Sequence, residues 1–591
     1  MTLHVARVTP LLLAAALAVP LLAPSELTPL AFLICGAVAA AVALGLAMWE
    51  LRAGSPLVTR TTGVALVTAT ALVGWITVAT LWSDAPRVSF LGMIAQHSGA
   101  ALWLVAGGWF VATALVGDKR SLRAMVAIVA LFGGVSGAWT VAEAVTGGAR
   151  GWGSAAGPLE NSSSLGAVLA VTLFTAGSWW ALTRTPGERL AAAACAVACL
   201  AGIAAADSRV GMVGVAAGLV FLAGVNLIPQ SVEGRGLLAT GVPVLGAAVT
   251  AALVATANGA LGEGALGALA RFGTDRDVIW RSAYAQFTAS PIAGSGPEQF
   301  SAWVLWAFDG GDLSVNATYD PHNALLGLAL GGGVVAVALW LAAAISALWA
   351  LMSVFHRAGR PRALAALIAT PVVLATATSF TWLTPAAMIL TAALIGGVLG
   401  AGRTASEFDD VTAAQARPRV AAVRLIAAAL TVACVGVVVM SVPALQAGWR
   451  YTTGDLTQPV EYARLYRQWP EPAYAALALR GALAEQSEPA RMRALLGDAE
   501  RHASYHVDIA LREILIEQQA VLSDPTAWPR FADAIERGVQ ADPASGLWYT
   551  LAAAQAAHLG LAEEQIAYVR AALTHRVPPD TRAYLERLAS E

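Results

Sequence analysis

Apolar runs recur along the chain from residue 8 to residue 445, broken by short polar punctuation. A bilayer's hydrocarbon core needs about 20 helical residues to cross it, and backbone groups in lipid must find their partners within the segment. The runs therefore predict transmembrane helices near 8–24, 29–49, 62–82, 98–117, 122–145, 163–183, 190–206, 210–228, 237–256, 323–355, 363–381, 385–401 and 421–445. The expected fold class is all-α, with about 13 transmembrane helices. The first run is short enough to suggest a signal peptide, yet Pro20 to Pro29 leads into the second without a cleavage pattern, so it reads as a retained helix. The tenth is long for a single span and predicts a helix that tilts or protrudes from the bilayer.

From Gln446 onward charged residues become frequent and apolar ones take helical spacing. Ala534 to Ala541, Asp542-Pro543, then Trp548, Leu551, Ala552, Gly560 and Ala571 to Leu573 look like a tetratricopeptide-type hairpin. Ala475 to Ala484 and Ala494 to Ala503 suggest an earlier, more degenerate pair. The chain thus divides into a membrane domain over 1–445, carrying a long polar loop at 257–322, and a helical-repeat-like domain over 446–591. The second is either a packed appendage or a docking surface for a glycan or a partner protein.

Composition agrees: 57% of residues are hydrophobic and 13% charged, where soluble domains average about 25% charged. Mean hydropathy is +0.65. The net charge of -2 and the lack of a basic cluster exclude nucleic acid as an expected partner. Cys35, Cys195, Cys199 and Cys434 all lie in apolar runs, which predicts neither a disulfide framework nor a metal site.

Basic residues set the orientation, because cytoplasmic loops are enriched in them. With a cytoplasmic N-terminus, the inner loops hold Arg52 and Arg60; Lys119, Arg120 and Arg123; Arg184 and Arg189; Arg235; Arg357, Arg360 and Arg362; and Arg403, Arg417, Arg419 and Arg424. The outer loops hold Arg87, Arg150, Arg209 and the arginines of 257–322. On this reading the long loop and the C-terminal domain face outward from a cytoplasmic (inner) membrane.

The outward arginines are the ones this rule leaves unexplained. Arg209, in Asp207-Ser208-Arg209, is either an interfacial anchor or a functional cation. Arg276 and Trp280 stand one turn apart on a predicted helix from Asp275 to Thr288, whereas Arg281 points elsewhere. Of the two histidines at outer helix mouths, His97 and His322, only His322 belongs to the Arg-bearing loop, between Asp320-Pro321 and Asn323. It is either a helix-start histidine or a general base whose neutral imidazole accepts a proton from an attacking hydroxyl. Guanidinium groups pair bidentately with phosphate and stay charged. Two or three of them beside one imidazole suit transfer of a sugar from a lipid-linked diphosphate, since they stabilise the charge that develops on the leaving oxygen. That chemistry calls for no cofactor and no metal.

Asp275-Arg276-Asp277-Val278-Ile279-Trp280-Arg281, followed by Pro291-Ile292-Ala293-Gly294-Ser295-Gly296-Pro297-Glu298-Gln299-Phe300, resembles the signature of the O-antigen ligase and Wzy-type polymerase superfamily. It continues to His322-Asn323 and a glycine-rich turn at Gly331-Gly332-Gly333; Ser208-Arg209, and Asn161 with Leu165, resemble its upstream motifs. The likeness spans roughly 161–399. It implies a GT-C-like fold and a metal-independent, inverting glycosyltransferase using an undecaprenyl-diphosphate-linked glycan, with a glycan, lipid or protein as acceptor. By carry-over, His322 would activate the acceptor and Arg209 and Arg276 would bind the diphosphate. Arg281 would be secondary, and Trp280, Gly294, Gly296, Asp320 and Asn323 would support them. Glu298-Gln299 departs from the small residue usual before the Phe. Ligases, polymerases and protein O-glycosylating enzymes share these motifs. The alternative class is a polysaccharide or lipid transporter or flippase, for which ionisable groups at mid-bilayer depth would be expected.

Overall fold

The computed structural model describes residues 2–24, 27–52, 60–83, 86–93, 96–146, 155–159, 161–227, 283–284, 286–288, 290–300, 302–304, 316–318, 321–359, 361–402, 413–453, 465, 468–469, 507–541, 546–575, 577 and 579–590. Its helices in chain order are α1 (Thr2–Ala18), α2 (Thr28–Arg52), α3 (Arg60–Ala79), α4 (Pro86–Leu91), α5 (Ala100–Val116), α6 (Lys119–Val145), α7 (Ser162–Leu182), α8 (Pro186–Ala205) and α9 (Arg209–Leu227). After a short hairpin come α10 (Ala324–Arg357), α11 (Arg362–Thr378), α12 (Pro385–Ala401) and α13 (Ala413–Thr453). The C-terminal helices are α14 (Val507–Ser523), α15 (Trp528–Ala541), α16 (Leu547–Leu559), α17 (Ala562–Thr574) and α18 (Pro579–Ser590).

Among the described residues, seven helices are long and apolar enough to cross a membrane, and five further apolar helices are shorter. Every predicted span except the ninth falls on one of these; the ninth, 237–256, lies outside the described residues. The polar residues between runs act as helix starts. Asp118 accepts from the Ser121 amide at 2.6 Å while the Ser121 hydroxyl accepts from the Asp118 amide at 2.9 Å, a reciprocal cap on α6. Asn161 caps α7 through the Ser164 amide at 2.9 Å, and Asn323 caps α10 through the Leu326 amide at 3.0 Å.

The membrane helices pack α6 on α8, α5 on α12, α7 on α11, α2 on α13 and α3 on α10. In lipid, helix association relies on close backbone approach. Gly137 meets Gly202 on the α6–α8 contact, and Gly166 meets Gly211 between α7 and α9. The outer face of α13 presents Leu425, Val432 and Val439, each well exposed, as lipid-facing side chains would be. Basic residues collect at one end of the bundle, where Arg123 pairs with Glu188 at 2.6 Å and Arg424 donates to the carbonyl of Leu51, near the end of α2.

The expected helical fold is the one found, with one small addition: Ala302–Val304 (β1) and Asn316–Thr318 (β2) form an antiparallel pair with Ala302 opposite Thr318, so part of the long loop satisfies its backbone by cross-strand bonding. One finding differs from expectation. The long tenth span is neither one straight helix nor a simple protrusion. It breaks at Gly333, which takes φ 67 and ψ -169, a conformation essentially confined to glycine. The segment beyond the break, 334–357, is about 36 Å long at 1.5 Å per residue and spans by itself.

At the C-terminus α14 packs on α15, α16 on α17, and α17 on α18, around a core that includes Ile514, Phe531 and Trp548. Glu513 pairs with Arg537 across α14 and α15. The earlier pair expected at 475–484 and 494–503 lies outside the described residues.

Gly333→Ala is expected to destabilise the membrane domain, because a Cβ there would strike the Ile292 carbonyl oxygen while holding a left-handed φ. The strain alone is of order 1–3 kcal/mol. Thermal unfolding of the purified variant in detergent should show a clear drop in Tm; an unchanged Tm would mean that the break is not fixed at this residue.

Candidate active site at one end of the helices

The loops linking α3 to α5, α6 to α7, α8 to α9 and α11 to α12 meet segment 290–300 and the start of α10 at the end of the bundle away from most of the basic residues. The break in α10 determines how they meet. Unwinding at Gly333 leaves carbonyls without helical partners, and 290–297 supplies them: the Ser295 amide donates to Leu330 at 2.8 Å and the Gly296 amide to Gly331 at 3.0 Å. The Val334 amide donates back to the Pro291 carbonyl at 2.9 Å, and the Trp75 indole donates to the Gly332 carbonyl at 2.8 Å. Gly294 and Gly296 have φ 73 and 97. A Cβ on Gly294 would lie 2.5 Å from the Gly332 nitrogen. The motif glycines thus serve backbone-to-backbone approach.

The same segment is tied to the α4–α5 connection. Ser89 donates to the Pro297 carbonyl at 2.7 Å and accepts from Gln299 at 2.8 Å. Glu298, at φ 58, accepts from the Met93 amide at 3.4 Å and from the Ser98 hydroxyl. Burial pushes the Glu298 carboxyl above its ordinary value, with the bonds from Ser98 and Met93 pulling the other way. Burial also lowers His97 to about 4, against a bond between its Nδ1 and the Leu91 carbonyl at 3.2 Å. His97 is therefore neutral at physiological pH.

Three concavities open here. One of about 50 Å³ lies between Ser98, Glu298, Gln299, Pro321 and Ala324. One of about 30 Å³ lies between Gln96, Asn161, Ser164, Trp382 and Thr384. A groove of about 400 Å³ runs between α3, α5, α10, α11 and α12, with Thr378 and Thr391 the only polar side chains among its lining residues. Trp103 and Leu383 line both this groove and the cavity at Glu298.

His322 sits at φ 49 just before α10, and its ring centroid is 5.3 Å from that of Trp382. Asn323 serves as the helix cap. Arg209 is the exposed first residue of α9, and the Ser208 hydroxyl before it accepts from the Gly211 amide at 3.3 Å. Ser208 packs on Gly166 of α7, two residues beyond Ser164, and Ser164 shares the 30 Å³ recess with Trp382. His322 thus adjoins a residue that lines the recess, and Arg209 follows a residue packed on α7 two positions beyond Ser164, at the same end of the bundle. Arg276, Trp280, Arg281 and Asp320 lie outside the described residues. Among the described residues no group of three His, Cys, Asp or Glu side chains is arranged to hold a metal ion.

Sequence reading missed Glu298 as an anchor, together with Ser89, Gln96 and Trp382. The signal available was the clustering of polar residues in two short connections, Ser83 to Gly99 and Ser379 to Thr384, where a bare turn would have sufficed.

Fold and site together define a multi-pass helical membrane protein with a polar recess at one end of its helices. Residues 194–341 match the family model described as O-antigen ligase, covering the latter part of α8, all of α9, the 290–300 segment, His322-Asn323 and the first half of α10 with its break. The resemblance to the O-antigen ligase and Wzy-type superfamily is thus shown over that stretch, and it implies a glycosyl-transfer enzyme working on lipid-linked glycans at a membrane. A search of curated proteins finds no match.

The state of His97 can be tested directly. Between pH 6.5 and about 4 the unfolded chain takes a proton that the folded chain refuses, so this residue makes stability fall as pH drops through that window, by roughly 3 kcal/mol at the limit. Glu298 acts with the opposite sign, since low pH relieves its buried charge. Tm against pH for wild type minus that for His97→Gln should therefore decline from pH 6.5 to 4; a flat difference would show His97 to be solvated.

Proposed function

We infer that this protein transfers, or polymerises, an undecaprenyl-diphosphate-linked glycan onto an acceptor hydroxyl on the outer side of the cytoplasmic membrane. The observation that carries the reading is the polar recess lined by Trp382, whose ring adjoins that of His322, at the end of the bundle where α9 begins with Arg209. In the reaction the acceptor oxygen attacks the anomeric carbon as the bond from that carbon to the diphosphate oxygen breaks. His322 takes the acceptor proton, and the diphosphate leaves with its negative charge. Attack opposite the leaving group inverts the anomeric centre. Arg209, and by the sequence resemblance Arg276, neutralise the departing diphosphate, with Arg281 nearby in sequence. Asn323, Gly294 and Gly296 act on the scaffold. The apolar groove suits the proximal isoprene units of the donor, whose headgroup would then emerge beside Trp103 and Leu383. The membrane domain is taken as 1–445; the C-terminal domain, of tetratricopeptide type, would offer a docking surface outside the membrane.

Transporters also use discontinuous helices, whose freed carbonyls coordinate ions. In α10 the carbonyls of Leu330, Gly331 and Gly332 already accept from Ser295, Gly296 and Trp75. That occupancy favours a structural break and a transferase.

His322→Ala and Arg209→Ala are expected to cut glycan transfer by about 100-fold or more, the loss typical when a general base or charge stabiliser is removed. Insertion and Tm should stay near wild type. The readout is release of undecaprenyl diphosphate from lipid-linked glycan by purified protein. Full activity in both variants would end this assignment.

A further inference from the structure

We propose that the recess between the start of α7 and the loop after α11 is a hydroxyl-specific subsite that takes a single sugar hydroxyl or hydroxymethyl arm. This deepens the transferase reading above and rests on it. The recess is lined by Gln96, Asn161, Ser164, Trp382 and Thr384, with Phe32 closing one side. Gln96 and Ser164 are 5% and 3% exposed. Among the described residues, the Gln96 Oε1 and Ser164 Oγ atoms have no hydrogen-bond partner.

Buried polar atoms are almost always paired, and a native exception calls for an absent partner. Both residues line the same small recess, so one group entering it can answer both atoms. Gln96 Oε1 accepts only, and therefore needs an O–H or N–H donor. Ser164 Oγ both gives and accepts. A sugar hydroxyl meets both demands at once: its proton goes to Gln96 and its oxygen accepts from Ser164. The volume of about 30 Å³ has room for one such arm. Trp382 offers the rest of the sugar an aromatic wall, and its other neighbour is the His322 ring. A sugar anchored here lies between the imidazole and the Arg209 end, where the glycosyl group must sit during transfer. The hydroxyl belongs to the donor glycan or to the acceptor, and the two sources separate by experiment.

The test uses full-length protein in detergent as wild type, Gln96→Leu, Ser164→Ala and Arg209→Ala. Equilibrium binding is measured for undecaprenyl-diphosphate-N-acetylglucosamine, sugar-free undecaprenyl diphosphate and methyl β-D-glucopyranoside. Both recess variants should weaken one sugar-bearing probe by about ten-fold, the factor that one lost hydrogen bond of 1.4 kcal/mol carries. Loss on the lipid-linked sugar assigns the arm to the donor; loss on the methyl glycoside assigns it to the acceptor. Affinity for the sugar-free lipid should not change in either. Because neither atom has a partner among the described residues, the variants without ligand should unfold at or above the wild-type temperature, whereas a structural role would lower it. Equal affinities for every probe across wild type and both recess variants, or a drop in Tm, would overturn the subsite. The transferase reading fails separately, if Arg209→Ala binds sugar-free undecaprenyl diphosphate as tightly as wild type.

Discussion

A helix that unwinds inside a membrane domain must find new partners for its freed carbonyls, and the way this chain does so organises everything near the site. The three glycines at the break are buried in the protein, and an unpaired backbone group left without water costs a few kcal/mol. At Gly331-Gly332-Gly333 the partners are two loop amides and an indole. Those bonds fix segment 290–297 against α10. They also fix where the first turn of α10 begins, and so where His322 and its cap Asn323 stand. Trp75 draws α3 into the same arrangement. The glycines of the motif are thus explained without any contact to substrate: they allow two backbones to touch.

The polar groups around this joint are held in unusual states by burial. His97 is kept neutral, and the Glu298 carboxyl is driven toward its protonated form. Burial disfavours the charged form of both groups. Arg209 stands exposed at the start of α9, at the same end of the bundle.

The spans were legible because lipid imposes one strict requirement, an unbroken apolar run, that local composition either meets or fails. Helix starts at Asp118, Asn161 and Asn323 were legible for a similar reason, since capping acts over three residues. The break at Gly333 was visible only as a glycine cluster. Whether such a cluster bends, packs or unwinds depends on the carbonyl of Ile292, about forty positions earlier. Gln96, Ser164 and Trp382 were equally hidden: their proximity comes from three separate helix ends, and no periodicity within one segment encodes it. His322 was found because it followed a proline and preceded a capping residue in the Arg-bearing loop. Arg276 and Arg281, which carried much of the resemblance, lie outside the described residues.

Glu298 is where this chain leaves the family pattern, and the geometry gives that substitution a purpose. A non-glycine residue at φ 58 costs of order 1–3 kcal/mol, so a small residue would have made an easier turn. The carboxylate reaches what a small residue could not: the Met93 amide and the Ser98 hydroxyl, on either side of Gln96. The connection carrying Gln96 is thereby tied to the segment bound to the broken helix, and Gln96 is held at the recess instead of turning toward solvent. The strain at position 298 and the unpartnered oxygen of Gln96 are then two parts of one device. The first holds the loop in place, and the second is the buried oxygen, without a partner among the described residues, on which the proposed subsite rests.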